Sequence, residues 1–118
     1  SNDELGLDVG IVNASLKGIA DVYVCFGDYV FKAGVVGPGK KAVHVCSGQR
    51  LPKEAEVGYR SSSGGVIVEH VIVKSAVQIE NDQHCLLYFV VSEDEPVKVE
   101  VMRFVQVNGA WTTQQINE

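Results

Sequence analysis

Apolar residues recur at every second position through most of this sequence, and that period limits the folds the chain can adopt. The clearest example is segment 22–33, where the alternation continues across the pair Gly27-Asp28. A period of two puts alternate side chains on one face of a β-strand, whereas an amphipathic helix needs an apolar stripe with a period of about 3.6 residues. No segment shows that helical stripe convincingly, so the sequence predicts an all-β protein.

Segment 22–33 is predicted to be a β-hairpin with its turn at Gly27-Asp28. The predicted cross-strand pairs are Phe26 with Tyr29, Val24 with Phe31 and Val22 with Ala33. These pairs share one apolar face, which we expect to be the core side. Cys25 falls on the opposite, mixed face, beside Tyr23 and Val30.

Further strands are predicted at 7–15, 42–47, 54–60, 66–79, 86–91 and 97–107. Segment 66–79 is either one long strand or two joined by a bend. Segment 86–91 is apolar on both faces, which is typical of a central, fully buried strand. The alternation of 97–107 breaks near Met102 and predicts a β-bulge there. Asn108-Gly109 predicts a type I′ turn that places Trp111 across from Gln106. The predicted core includes Val22, Val24, Phe26, Phe31, Leu87, Phe89 and Val99.

The chain of 118 residues suits one domain, which we draw as 1–118, with Ser1-Asn2 interpreted as a remnant of tag cleavage. Eight to ten short strands without a helix predict an antiparallel β-sandwich, and a small barrel is the less favoured alternative. Whether a signal or a lipid anchor precedes the sequence stays open.

The net charge of −5 argues against nucleic acid or an anionic membrane as the main partner, since both attract basic surfaces. No run of 18 apolar residues is present that would predict a membrane span.

The first half of the chain resembles the immunoglobulin-like modules of bacterial surface and envelope proteins. The resemblance lies in Val12-Asn13 followed by Ser15, in 21-DVYVCFG-27, and in the Gly-x-x-x-Pro-Gly turn from Gly34 to Gly39. It implies an immunoglobulin-like sandwich that serves adhesion, spacing or protein contact, in a periplasmic, cell-envelope or secreted protein. The family would place a tryptophan between two paired cysteines. This chain has none there, so no functional residue is transferred.

Cys25, Cys46 and Cys85 are too few for a disulfide-stapled scaffold. Three roles are open for Cys25: a small side chain packed in the protein, half of a disulfide with Cys46, or a nucleophile. A nucleophile is disfavoured because neither a helix N-terminus nor a glycine-rich elbow follows Cys25. Cys25–Cys46 is the one intrachain pair that the predicted strand faces allow, which leaves Cys85 unbridged.

A zinc site is the other reading of the cysteines. It would combine His44 and Cys46 with His84 and Cys85. The close paired spacings of structural zinc sites are missing, so we predict neither a metal nor another cofactor.

Charged residues are separated along the sequence. Segment 32–53 carries only basic charges, including Lys40 and Lys41, whereas 80–100 is mostly acidic and includes Glu93, Asp94 and Glu95. The simpler interpretation is two sets of solvated turns. The sharper one is a polarised module that meets a charged protein partner, or a second copy head to tail.

These features together predict a non-catalytic protein-interaction module of an exported or envelope protein. The alternative is a small inhibitor or immunity-type protein that blocks a basic enzyme with loops such as 61–65 and 92–96. An enzyme is disfavoured because the sequence has none of the phosphate-binding, nucleophile-elbow or metalloprotease motifs. Asn13-Ala14-Ser15 also fits the glycosylation acceptor pattern.

Overall fold

The computed structural model describes residues 6–77 and 84–116, and within them it contains nine β-strands and one short 3-10 helix. The strands are β1 (Gly6–Asn13), β2 (Ile19–Phe26), β3 (Tyr29–Val36), β4 (Lys41–Ser47), β5 (Glu54–Arg60), β6 (Val66–Ile72), β7 (Cys85–Val91), β8 (Lys98–Val107) and β9 (Ala110–Ile116). The 3-10 helix spans Lys74–Val77. The all-β prediction is therefore confirmed.

Two sheets pack face to face. Sheet I has the strand order β4-β1-β7-β8-β9, and sheet II has the order β3-β2-β5-β6. Most neighbours are antiparallel, as predicted, but β1 and β7 run parallel in register from Leu7↔Cys85 to Asn13↔Val91. The parallel pair was not predicted, because partners so distant in sequence leave no local turn signal.

The core lies between the sheets and follows the predicted alternation. Leu87 and Phe89 of β7 are completely buried, as are Val24 of β2 and Val57 of β5. Strand β7 lies between β1 and β8, so the prediction of a central strand at 86–91 is confirmed. It is not fully buried, because Tyr88 and Val90 on its outer face are partly exposed. Of the other predicted core residues, Val22 is also buried, and Phe26, Phe31 and Val99 pack against the core while partly exposed.

The predicted hairpin forms, with one difference in register. Phe26 pairs with Tyr29 and Val24 with Phe31, but Val22 pairs with Gly34 and not with Ala33. The shift arises in β3, where Ala33 is an extra residue between the pairs Tyr23↔Lys32 and Val22↔Gly34 and where Gly34 has a φ of 71°. A second irregularity, in β2 at Asp21 with a φ of 51°, restores the register at Ile19↔Val36. A non-glycine residue in this region is uncommon, and the alternation of side chains does not signal it.

Three other predictions need correction. Strand β8 keeps regular register with both neighbours through Met102, so the predicted bulge is absent there. The described part of 66–79 is a strand that stops at Ile72 and then forms the 3-10 turn. Strand β1 ends at Asn13, two positions before the predicted end.

The Asn108-Gly109 turn is confirmed, with φ of 53° and 81° and with Gln106 opposite Trp111.

Candidate functional site

Four connections meet at one end of the sandwich, which we call the loop end. They are 14–18, 37–40, 61–65 and 92–97. Pairing between neighbouring strands brings the strand ends that flank these connections to the same end of the sheets. The two loops that the sequence suggested for blocking an enzyme, 61–65 and 92–96, both line a cleft of about 380 Å³ at this end. The sequence suggests both loops for one function, but it does not by itself show that they are neighbours.

Asn13 organises the first of these connections. Its side chain is completely buried. The amide Nδ2 donates to the carbonyls of Lys17 at 2.8 Å and Val36 at 3.0 Å, while Oδ1 accepts from the Ser15 amide at 3.0 Å and hydroxyl at 2.7 Å. A buried amide with all these groups paired fixes the local backbone. It also leaves no exposed nitrogen for glycosylation in the folded state.

Asn13 also fixes the neighbouring turn through its backbone. Its N–H donates to the Lys40 carbonyl at 2.9 Å, and its carbonyl accepts from Gly39 at 2.8 Å. Lys40 and Lys41 are thereby placed at the loop end. The ammonium of Lys41 lies 5.7 Å from the centre of the Tyr88 ring, within the range of a cation–π contact.

Arg60 contacts the serine loop 61–65. Nε of Arg60 lies 3.1 Å from Oδ2 of Asp21, and Nη1 of Arg60 donates to the Gly64 carbonyl at 3.3 Å. The positive φ of Asp21 thus directs a carboxylate towards the arginine that contacts the loop. Both side chains are largely exposed, so we assign this pair a positioning role rather than a large share of stability.

The acidic turn is tied to the same end. Glu93 Oε1 accepts the Leu16 amide at 3.1 Å, and Glu95 Oε2 lies 3.2 Å from Nζ of Lys98. Asp94 occupies the tight position of the turn with a φ of 57°. The turn is anchored at both sides while its carboxylates remain exposed to a partner.

The cleft has apolar walls and a polar rim. Ile19, Tyr59 and Val91 form part of the walls, and serine hydroxyls with Glu93 and Asp94 form the rim. A second depression of about 410 Å³ shares Tyr59 and adds Glu69, whose carboxylate accepts the Val97 amide at 3.1 Å. Burial, and then the charge of Glu69, raise the pKa of Tyr59. The rim can accept hydrogen bonds from a cationic or polar group, which suits recognition.

The structure brings all five predicted contact residues to the loop end: Glu93, Asp94, Glu95, Lys40 and Lys41. The separation of charge along the sequence is therefore not a separation between the two ends of the molecule. Lys40 and Lys41 therefore do not form a basic pole opposite the acidic turn, and head-to-tail contact with a second copy stays a prediction. Arg50 and Lys53 do lie at the opposite end, in the connection between β4 and β5.

The predicted Cys25–Cys46 disulfide is not formed, and none of the three cysteines is bridged within the described residues. Cys25 lies on the outer face of sheet II, in an open groove of about 570 Å³ lined also by Tyr23 and Glu56. Cys46 lies in sheet I and is buried in the core. The prediction failed because alternation does not show which sheet a strand belongs to: Cys46 faces the core from sheet I, whereas Cys25 faces outward from sheet II.

The surroundings of Cys25 favour its protonated thiol. Its Sγ lies 3.9 Å from Glu56 Oε2, the same oxygen that accepts the Tyr23 hydroxyl at 2.8 Å. Partial burial, followed by the charge of Glu56, raises the pKa of the Cys25 thiol. Nε2 of His70 lies 3.8 Å from the other oxygen of Glu56, so the carboxylate is placed between the thiol and the imidazole.

The four candidate zinc ligands are divided between separate places. His44 and Cys46 do share a face of β4, where Nδ1 of His44 lies 2.6 Å from the Tyr29 hydroxyl and 3.5 Å from Cys46 Sγ. His84 instead contacts Asp8 at 3.1 Å, and Cys85 is buried in β7. Over residues 6–77 and 84–116, no three histidine, cysteine or acidic side chains are grouped as a metal would require.

Comparisons with known proteins give the fold and no more. No protein-family model matches the sequence, and no curated protein matches it. A solved structure described as "NMR structure of the protein from Eubacterium rectale" superimposes with a TM-score of 0.57 at 13% identity, over 84% of this chain and 90% of that chain. In the described part of the chain, no helix has the length and apolarity to cross a membrane.

Proposed function

We propose that this chain is a non-catalytic protein-interaction module that binds its partner with the loop end. One observation carries the proposal: three connections far apart in sequence, 14–18, 61–65 and 92–97, line one cleft at the loop end and are held there by Asn13, Arg60 and Glu93. Loops fixed by strands can vary in sequence without disturbing the fold, and sandwiches commonly use them for recognition.

The state of the thiols argues against a cysteine nucleophile. Burial is the largest cause of a raised pKa at Cys25, Cys46 and Cys85, so all three are protonated at neutral pH. The nucleophile of a cysteine enzyme is a thiolate whose pKa is lowered by its surroundings. The resemblance to envelope modules leads us to place the proposed module in an exported or envelope protein.

The second candidate is a small inhibitor or immunity-type protein that blocks a basic enzyme. The observation that favours it is the acidic turn 93–95 at the rim of an open cleft, in a chain of net charge −5. Such a turn would meet a basic active-site entrance with complementary charge.

Affinity capture with charge variants tests the proposed surface. The test variant is E93Q/D94N/E95Q. The matched control is D28N/E54Q/E100Q, which removes the same number of carboxylates outside the loop end. We expect a specific partner to be retained by wild type and control and lost or weakened with the test variant. A partner retained equally by all three proteins would place the contact elsewhere.

A basic enzyme as the captured partner would favour the inhibitor reading, and inhibition of that enzyme by the wild-type chain would establish it. A structural or surface protein would favour the envelope module.

A further inference from the structure

Strand β9 is an open edge at the end of a hairpin that extends past the rest of its sheet. The pairing of β7 with β8 stops at Cys85↔Arg103, whereas β8 and β9 remain paired out to Val107↔Ala110. One side of β9 has no neighbouring strand among the described residues. Half of its backbone donors and acceptors therefore point towards solvent, as on any edge strand.

Natural edge strands normally carry a feature that discourages pairing, such as a charge, a proline or a bulge. Strand β9 reads AWTTQQI, which contains none of these, and its register with β8 is uninterrupted. It is rich in β-branched and aromatic residues, and Trp111 is 69% exposed. Its sequence and geometry thus favour addition of a further strand.

The other edges of the two sheets are protected. Strands β3 and β4 lie next to each other, joined by the contact between Tyr29 and His44. Strand β6 has Glu69 pointing inward and His70 pointing outward at its middle. An inward charge on an edge strand is a recognised barrier to sheet extension. Strand β9 is the edge without an ionisable side chain in the described part of the chain.

We propose that β9 pairs antiparallel with β9 of a second copy of this chain, with the two-fold axis at Thr113. The register would set Trp111 opposite Gln115 of the second copy and Thr112 opposite its Gln114. Every such pair is neutral. Two copies that each carry a net charge of −5 repel one another over most of their surfaces, so an uncharged edge is where they can approach.

The symmetry of this contact makes it self-complementary, because each copy offers the same seven-residue edge. Sheet I would continue as one sheet through both copies. Since the paired strands are antiparallel, the two loop ends would point in opposite directions and remain accessible. The proposal concerns a different surface from the loop end and does not depend on the proposed function.

Sedimentation velocity over micromolar to near-millimolar concentrations tests the contact, using T113K, T113E and an equal mixture of the two. A charge at Thr113 meets its own copy across the axis, so we expect either variant alone to weaken the dimer by about tenfold or more. The mixture should restore dimers, because lysine then faces glutamate. The control is V68K, which adds the same charge to the exposed face of edge strand β6 and should leave the dimer intact.

Three results would overturn the proposal: a wild-type monomer throughout the range, dissociation caused by V68K but not by T113K, or a mixture of T113K and T113E that stays monomeric. A wild-type monomer that binds an added foreign strand at β9 also counts against it, since the occupant would then be another protein. Hydrogen exchange gives an independent measurement on the unmodified chain. The amides of 110–116 should gain protection as the wild-type concentration rises, and unchanged protection would contradict self-pairing.

Discussion

At the scale of single residues, Asn13 shows how one side chain can determine a functional surface. The alternation places Asn13 inside the predicted strand 7–15, whereas in the structure it ends β1 and its side chain forms a local turn with the Ser15 amide. Its contact with Val36 is not predictable from this pattern, because that partner is 23 residues away and is brought near only by the fold.

Replacing Asn13 should therefore destabilise the protein. Asn13→Ala leaves the carbonyls of Lys17 and Val36 without their amide donor, and we expect a loss of about 2–4 kcal/mol in the free energy of unfolding. Urea denaturation measures it. The control Ser15→Ala removes only the hydroxyl and should cost about 1 kcal/mol or less. Equal stability of the two variants would show that the buried amide does not hold the loop.

The thiol of Cys25 gives a second prediction at this scale. Burial and the Glu56 carboxylate both disfavour the thiolate, so alkylation of Cys25 should be slow at neutral pH and accelerate only above the usual thiol pKa. Glu56→Gln removes the charge and should move the pH–rate profile to lower pH, whereas Glu54→Gln should not. Mass spectrometry of alkylated peptides follows the rate. A profile for Cys25 centred below that of an unperturbed thiol would contradict this assignment.

At the scale of strands, the sequence predicts those features that depend on neighbouring residues. The alternation and the turn residues correctly indicate β2–β3, β8–β9 and the central β7. The irregularity at Asp21 escapes prediction because alternation does not signal the positive φ of a non-glycine residue, and its ion-pair partner Arg60 is 39 residues away. The parallel pairing of β1 with β7 escapes because it joins distant segments. No bulge forms at Met102, although the alternation breaks there. After Val101, strand β8 extends beyond the core and both of its faces are partly exposed, so apolar residues no longer need to alternate.

Strand β5 depends on a glycine that allows an aromatic ring to lie on the sheet. A Cβ at Gly58 would collide with the ring of Tyr23 on the adjacent strand. Gly58→Ala should displace that ring, disturb its hydrogen bond to Glu56 and cost about 1–3 kcal/mol in thermal or urea unfolding. The control Gly65→Ala meets its nearest atom at 3.5 Å and should be close to neutral. Adding Tyr23→Ala to Gly58→Ala should recover part of the loss, and no recovery would exclude the ring as the cause.

At the scale of the whole molecule, the strands that the sequence predicts also determine where the loops lie. The predicted contact residues meet at one end because β1 and β7 are parallel and because both precede loops there. The sequence identified the charges without placing them, since only the pairing of the sheets decides which loops share an end. The Cys25–Cys46 pairing failed for the same reason, because it required knowledge of which strands lie in which sheet.

This arrangement predicts how a partner of the loop end should bind. Carboxylates 93–95 are exposed, with Glu93 and Asp94 at the cleft and Glu95 at the second depression, so they should act mainly through long-range attraction that speeds association. For a basic partner isolated by the capture experiment, E93Q/D94N/E95Q should lower the association rate constant and flatten its dependence on salt, with the dissociation rate less affected.

D28N/E54Q/E100Q should change the association rate constant less, because those carboxylates lie outside the loop end. Surface plasmon resonance at several ionic strengths measures both constants. An equal loss of rate in the two variants would mean that total charge, and not the loop end, guides the encounter.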